Sequence, residues 1–252
     1  MSSVNHAIAL NNEGVLLLLA SGEDRKAVDT LTRSLSLMKC LLDEEASRDS
    51  SSHGNREGSD CDDLPHHRSQ DSECPPMVQP SGRIKLHDTC HPLPNLTDSS
   101  YFIYNHLITL LPAEDPDLAV CESGDSQLTV YSACIIMNLA LAYHRNGRVG
   151  NGSCLRKAES LYGLVDHLLS GWACHANATA QMVRVAALNN LTLLFHECNN
   201  WNLAQQGLES FSFLMRTYSE RQTYEDVFEP RIWSALVLNI LFLNSPHLAA
   251  AA

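Results

Sequence analysis

Residues 185–218 read VAALNNLTLLFHECNNWNLAQQGLESFSFLMRTY, and this stretch decides the fold. Starting just upstream, Val183, Ala187, Leu191, Leu194, Phe195 and Cys198 recur at three- and four-residue steps. Ala204, Leu208, Phe211 and Met215 repeat the pattern beyond Asn199-Asn200. That spacing puts apolar side chains on one stripe of a helix. Two amphipathic helices joined by so short a turn fold back on each other as an antiparallel hairpin.

The same reading extends outward. Val28, Leu31, Leu35, Met38 and Leu42 form one such stripe, and Leu155, Ala158, Tyr162, Val165 and Leu169 form another. Helices are predicted near 4–20, 24–42, 127–146, 154–169, 179–198, 201–218 and 229–243. Between the first hairpin (1–44) and the larger helical body (126–244) the composition changes. Residues 45–83 hold eight acidic and four basic residues but only Leu64, Met77 and Val78 as large aliphatics. A segment with so little to bury is predicted to be a disordered linker. Residues 84–125 read as a strand-and-loop insertion. Within it Tyr101–Leu111 (YFIYNHLITLL), rich in aromatic and β-branched residues and closed by Pro112, is predicted to be a strand that pairs with Arg83–His87. Residues 245–252 read as a frayed tail. The expected fold class is mainly α, with a small β element near 83–111.

Aligning the helix pairs exposes a repeat. A small residue precedes a large one by three in Gly14/Leu17, Ala140/Tyr143 and Thr192/Phe195. On the second helix an alanine precedes a large residue by four in Ala27/Leu31, Ala158/Tyr162 and Ala204/Leu208. The small-to-alanine interval is 13, 18 and 12 residues, the second unit carrying an expansion over Arg148–Ser153. A small residue facing an alanine lets two backbones approach, with the large residue filling the gap to the next pair. This pattern resembles the tetratricopeptide repeat, and the unit at 185–218 matches it without insertion and with Trp201 in the turn. The resemblance implies antiparallel hairpins stacked as a TPR-like α-solenoid with a concave groove.

An asparagine lies two residues before the small position in every unit, at Asn12, Asn138 and Asn190, and Asn239 in ALVLNILFL starts a further half-repeat. The N-L-A and N-N-L forms resemble the repeats of kinesin light chain and of the O-GlcNAc transferase superhelix. In those families such asparagines hydrogen-bond the backbone of an extended peptide. A carboxamide offers one donor and one acceptor group to a peptide unit and is indifferent to its side chain. The resemblance therefore implies a peptide-binding set of Asn12, Asn138, Asn190 and Asn239. The basic cluster Arg145, Arg148, Arg156 and Lys157 is a plausible contact for an acidic ligand; from it Arg145 and Arg148 join the set. The neighbouring wall positions Cys134, Met137, Ala186 and Asn189 are not cationic, which argues against a clamp for a dicarboxylate terminus.

Other chemistry is sparse. No phosphate-binding loop, nucleophile elbow, zinc-protease helix motif or dinucleotide fingerprint occurs, and no cofactor or enzymatic activity is expected. The glycine-rich Gly147–Ser153 reads as a turn rather than an anion site, since no strand precedes it. Lys and Arg total 17 against 29 Asp and Glu, a formal charge of -12 without a basic run, so nucleic acid is not an expected partner. No apolar run is long enough to span a membrane. The uncharged N-terminus does not read as a secretory signal, so the nine cysteines read as reduced thiols and the four Asn-x-Ser/Thr triplets as chance matches in a cytoplasmic or nuclear protein.

The expected function is non-enzymatic: binding an extended protein segment along the concave face. A metal- or redox-responsive role is the rival, carried by His53, Cys61, His66, His67, Cys74, His87, Cys90 and His91, although their spacings match no paired-ligand zinc motif. Ser59 and Ser72, set among acidic residues, resemble kinase sites. Self-assembly is a third reading, with a second copy docking on the apolar last helix through Trp233, Leu236 and Ile240.

Overall fold

Gly14 and Ala27 stand where the first two helices cross, and the packing explains both residues. A Cβ at Gly14 would lie 2.6 Å from Leu31 Cγ and 3.5 Å from the Ala27 carbonyl oxygen, so only hydrogen leaves room for Leu31. Ala27 and Leu31 are themselves fully buried. The crossing recurs at Gly207, where a Cβ would meet the Thr192 hydroxyl at 2.6 Å, beside buried Ala204 and Leu208. Small residues thus sit at the close approaches, as the repeat pattern requires. The larger partners divide differently: Leu31, Tyr162 and Leu208 on the second helices are buried, whereas Leu17, Tyr143 and Phe195 on the first are only half-buried.

The computed structural model describes residues 3–20, 23–52, 84–86, 101–111, 124–171, 177–220 and 228–244. Within these the chain is mainly helical: α1 (Ser3–Leu19), α2 (Asp24–Ser52), α3 (Gly124–Arg148), α4 (Gly152–Leu169), α5 (Ala178–Glu197), α6 (Trp201–Glu220) and α7 (Pro230–Asn244). Each helix packs on the next in chain order, and α1 and α5 also touch α3. The α5–α6 turn is a Schellman closure: the Asn199 amide donates to His196 O at 3.0 Å and that of Asn200 to Phe195 O at 2.9 Å. Asn199 takes the left-handed conformation (φ 57°) that this closure needs, a role asparagine tolerates better than most residues.

Two expectations about the helices need correction. Helix α2 runs ten residues beyond 42, so 45–52 is helix rather than linker. Absence of apolar residues rules out a buried helix, yet an exposed one can project from the core on its own ladder; Ser47 Oγ donates back to Asp43 O at 2.7 Å. Half of the expansion at Arg148–Ser153 is absorbed by helix, leaving Val149–Asn151 as the turn between α3 and α4. Residues 53–83 and 245–252 lie outside the described residues.

Two strands, β1 (Ile84–Leu86) and β2 (Ile108–Leu110), pair antiparallel with Ile84 opposite Leu110, Lys85 opposite Thr109 and Leu86 opposite Ile108. Strand β2 lies against α1 and α3. Of the stretch Tyr101–Leu111 expected as one strand, only Ile108–Leu110 is strand; residues 101–107 are not, yet Ile103, Tyr104, Asn105 and Leu107 are buried. Their backbone must therefore find partners outside a sheet.

Candidate functional site

The partners are asparagines. Asn239 on α7 accepts from the Phe102 amide at 2.9 Å and donates to the Phe102 carbonyl at 2.6 Å. Asn190 on α5 does the same for Tyr104, at 2.9 and 2.8 Å. Asn138 on α3 does so for Ile108, at 2.8 and 2.7 Å, and Asn12 on α1 for Leu110, at 2.9 and 2.7 Å. Four carboxamides on four helices thus each close a two-bond ring with one residue of the chain's own 101–111 segment. The segment runs from the last helix to the first, against the chain order of the helices.

Strand geometry explains why one side chain suffices per residue. In an extended chain the N–H and C=O of one residue point to the same edge, and those of the next residue to the opposite edge. Residues 102, 104, 108 and 110 therefore turn their peptide groups toward the helices. Thr109 between them turns toward β1, where it faces Lys85. Strand β2 consequently has a real strand on one edge and asparagine side chains on the other, standing where a second strand's peptides would be. Each buried peptide group left unpaired would cost about 1–3 kcal/mol.

Two more asparagines complete the wall: Asn189, already expected as a neighbouring wall position, and Asn11, which the repeat pattern did not single out. Asn11 donates to Ile108 O at 3.0 Å and accepts from Asn138 Nδ2 at 3.0 Å. Asn189 donates to Phe102 O at 3.1 Å and accepts from Asn239 Nδ2 at 2.7 Å. The signal was present, since Asn11-Asn12 and Asn189-Asn190 are doublets, and adjacent helical residues diverge by about 100°, so one amide of each doublet reaches the strand directly and the other reaches the next helix's amide as well. Asn11, Asn138, Asn189 and Asn190 are fully buried, and Asn239 nearly so. Cys134, Met137 and Ala186, expected as wall positions, are wholly buried among the helices.

Behind the wall a second row fixes Asn190. The Tyr162 hydroxyl accepts from Asn190 Nδ2 at 3.2 Å, and lies 3.2 Å from His144 Nδ1. With its oxygen accepting, the hydroxyl proton is free to go to a neutral His144 Nδ1. Burial chiefly, and Arg148 secondarily, push the His144 pKa down to about 4, which keeps the ring neutral at neutral pH. Burial likewise raises the Tyr162 hydroxyl and pushes the Cys134 thiol up to about 12.

The chain has no match among protein-family models, curated proteins or solved structures.

The two arginines of the expected ligand set serve the fold instead. Arg145 is buried, donates to the Leu18 carbonyl at 2.9 Å at the end of α1, and is ion-paired with Asp24 at the start of α2. It pins the first hairpin to α3. Arg148 faces Glu197 at 3.6 Å, and Lys157 lies 4.9 Å over the Tyr143 ring. Charge clustering along the sequence did not reveal that Arg145 points inward across a helix crossing. The self-docking residues turn inward as well: Leu236 is fully buried within this chain, and Trp233, beside Phe228, and Ile240 are half-buried against the core, so none of the three forms the open face of α7. That face consists of Leu238, Leu241 and Phe242. The Cys/His set between 53 and 91 lies outside the described residues, among which no cluster suited to a metal ion occurs. No helix among the described residues is long and apolar enough to cross a membrane.

Proposed function

We propose that this protein is a non-enzymatic interaction module: tetratricopeptide-like hairpins stacked as an α-solenoid, whose inner asparagine wall captures an extended protein segment by its main chain. The carrying observation is the fourfold ring between Asn12, Asn138, Asn190 and Asn239 and the N–H and C=O of Leu110, Ile108, Tyr104 and Phe102. The families that this repeat resembles use amides in the same way on peptides that come from another protein. Here the occupant is the chain's own segment. Further support comes from titration: the buried groups behind the wall, Tyr162 and His144, are moved away from neutrality chiefly by desolvation, the opposite of what proton-transfer chemistry at neutral pH needs. The acidic balance of the chain favours a protein partner over nucleic acid.

The test is limited chymotryptic digestion, since Tyr101, Phe102 and Tyr104 are cleavage sites inside the captured segment. The native chain should resist cutting there. An Asn138→Ala/Asn190→Ala variant should be cut rapidly while keeping its helical circular dichroism. Equal resistance of the two proteins would remove the wall from the account.

A further inference from the structure

We propose that the asparagine wall is a docking groove closed by its own strand, and that the partner it fits is an extended, uncharged, strand-forming segment of another protein that enters by replacing residues 101–111. This deepens the reading of the wall as a backbone-capturing surface and rests on it.

Three features of the site point to exchange. First, the wall reads groups that every peptide possesses. All ten hydrogen bonds from Asn11, Asn12, Asn138, Asn189, Asn190 and Asn239 to the segment end on its main-chain N–H or C=O groups. Main-chain capture gives affinity without fixing identity, as in strand addition generally. Second, each of α1 to α6 packs directly on its successor, besides the contacts that β2 makes with α1 and α3, so successive helices meet one another without the segment between them. Third, the capture is graded. The bonds of Ile108 and Tyr104 in the middle are buried, whereas those of Phe102 with Asn239 and of Leu110 with Asn12, at the two ends, are only partly buried. Peeling can therefore begin at an end, one ring at a time.

The same site states what the partner must be. The positions of Ile103, Tyr104, Leu107, Ile108 and Leu110 are buried, so an entering segment needs aliphatic or aromatic side chains there. At the positions of Phe102, His106 and Thr109 the chain is half-exposed and polar residues are admissible. Charge is excluded at the buried positions, because the cations nearest in sequence to Asn138 are already committed: Arg145 to Leu18 and Asp24, and Arg148 to Glu197. A buried carboxylate or ammonium would lose its hydration without gaining a counter-ion. Proline is excluded at the four ring positions, since each must supply an N–H.

The probe is a fluorescein-labelled synthetic peptide of the Tyr101–Leu111 sequence, with a control peptide N-methylated at the Ile108 and Leu110 positions. The receptors are the full chain and its Ile108→Pro/Leu110→Pro variant, whose own segment cannot donate to Asn138 or Asn12. The unmethylated peptide should bind the variant at least tenfold more tightly than the native chain, and at least tenfold more tightly than the methylated control does. On the native chain its binding rate should become independent of peptide concentration, limited by release of the resident strand. A full chain with 101–111 replaced by a Gly-Ser run of equal length gives a second open receptor and should bind the peptide as the proline variant does. Failure of the peptide to bind either open receptor overturns the proposal. Loss of helical circular dichroism in both overturns it too, because exchange requires helices that stand without the strand. If chymotrypsin instead finds the segment unreleased in the Asn138→Ala/Asn190→Ala variant, the wall reading itself fails; release without peptide binding removes only the exchange.

Discussion

Asn138 and Ile108 close a two-bond ring: Asn138 Oδ1 accepts from the Ile108 amide at 2.8 Å while Asn138 Nδ2 donates to the Ile108 carbonyl at 2.7 Å. The two residues come from a helix and a strand, yet the ring has the hydrogen-bond pattern of a paired residue in an antiparallel sheet. A carboxamide is a peptide group on a short stem, and Asn138 places it where a neighbouring strand would place its own.

Replacing Asn138 by its isostere aspartate keeps the acceptor for the Ile108 amide and changes the donor into an oxygen. That oxygen would face the Ile108 carbonyl and Asn11 Oδ1, both now hydrogen-bond acceptors of Asn138 Nδ2. Asn138→Asp should therefore cost more stability than Asn138→Ala, about 3–5 kcal/mol against about 2–3 kcal/mol. Urea denaturation followed by circular dichroism measures both, and an aspartate variant as stable as the native chain would contradict the ring.

Asn12 makes an equivalent ring with Leu110 but is only half-buried, so water can replace part of what is lost. Asn12→Ala should cost about 1 kcal/mol or less, clearly below Asn138→Ala. Equal losses would mean that burial does not grade the wall.

Glycine substitutions separate packing from helix propensity. At Gly163 an added Cβ meets nothing within 4 Å, so Gly163→Ala should stabilise by about 0.5–1 kcal/mol through helix propensity. At Gly14 the same methyl would lie 2.6 Å from Leu31 Cγ, and Gly14→Ala should instead destabilise by about 1–3 kcal/mol. Thermal melts of the two variants should shift in opposite directions.

The pH dependence has a definite sign. The His144 pKa falls from the ordinary 6.5 to about 4 in the folded chain, so between these values the unfolded chain holds more protons. His144 therefore contributes stability that is fully present above pH 6.5 and is lost as the pH falls toward 4, up to about 3 kcal/mol. The imidazolium carries hydrogen on both ring nitrogens and can only donate to the Tyr162 hydroxyl oxygen. Glu197, raised mainly by burial and held down in part by Arg148, acts oppositely and partly masks the slope. The urea midpoint should fall less steeply between pH 6.5 and 4 in His144→Gln than in the native chain. An identical slope would remove His144 as its source.

The wall was legible in the sequence because its residues repeat: Asn12, Asn138 and Asn190 each precede a small crossing residue by two, and helical periodicity then sets them on equivalent faces. The strand at Ile108–Leu110 was legible independently, from β-branched residues ended by Pro112, but its predicted extension over 101–107 was not borne out, since those residues meet helix side chains rather than a second strand. The link between the two readings was not legible. A groove made of amides specifies the backbone it holds and says nothing of the chain that supplies it, so a partner and the chain's own insertion read alike. Arg145 was hidden for a related reason: its charge was visible, but its partners, Leu18 and Asp24, are more than a hundred residues away in sequence and met only by packing.

The most direct measurement is residue-resolved amide exchange by NMR at Phe102, Tyr104, Ile108 and Leu110. All four amides should be strongly protected in the native chain, and Asn138→Ala should collapse protection at Ile108 first and most, with the amides of the α5 and α6 interiors unchanged. Fast exchange at these four amides in the native chain, or protection at Ile108 that survives the loss of Asn138, would contradict capture of the strand by the asparagine wall.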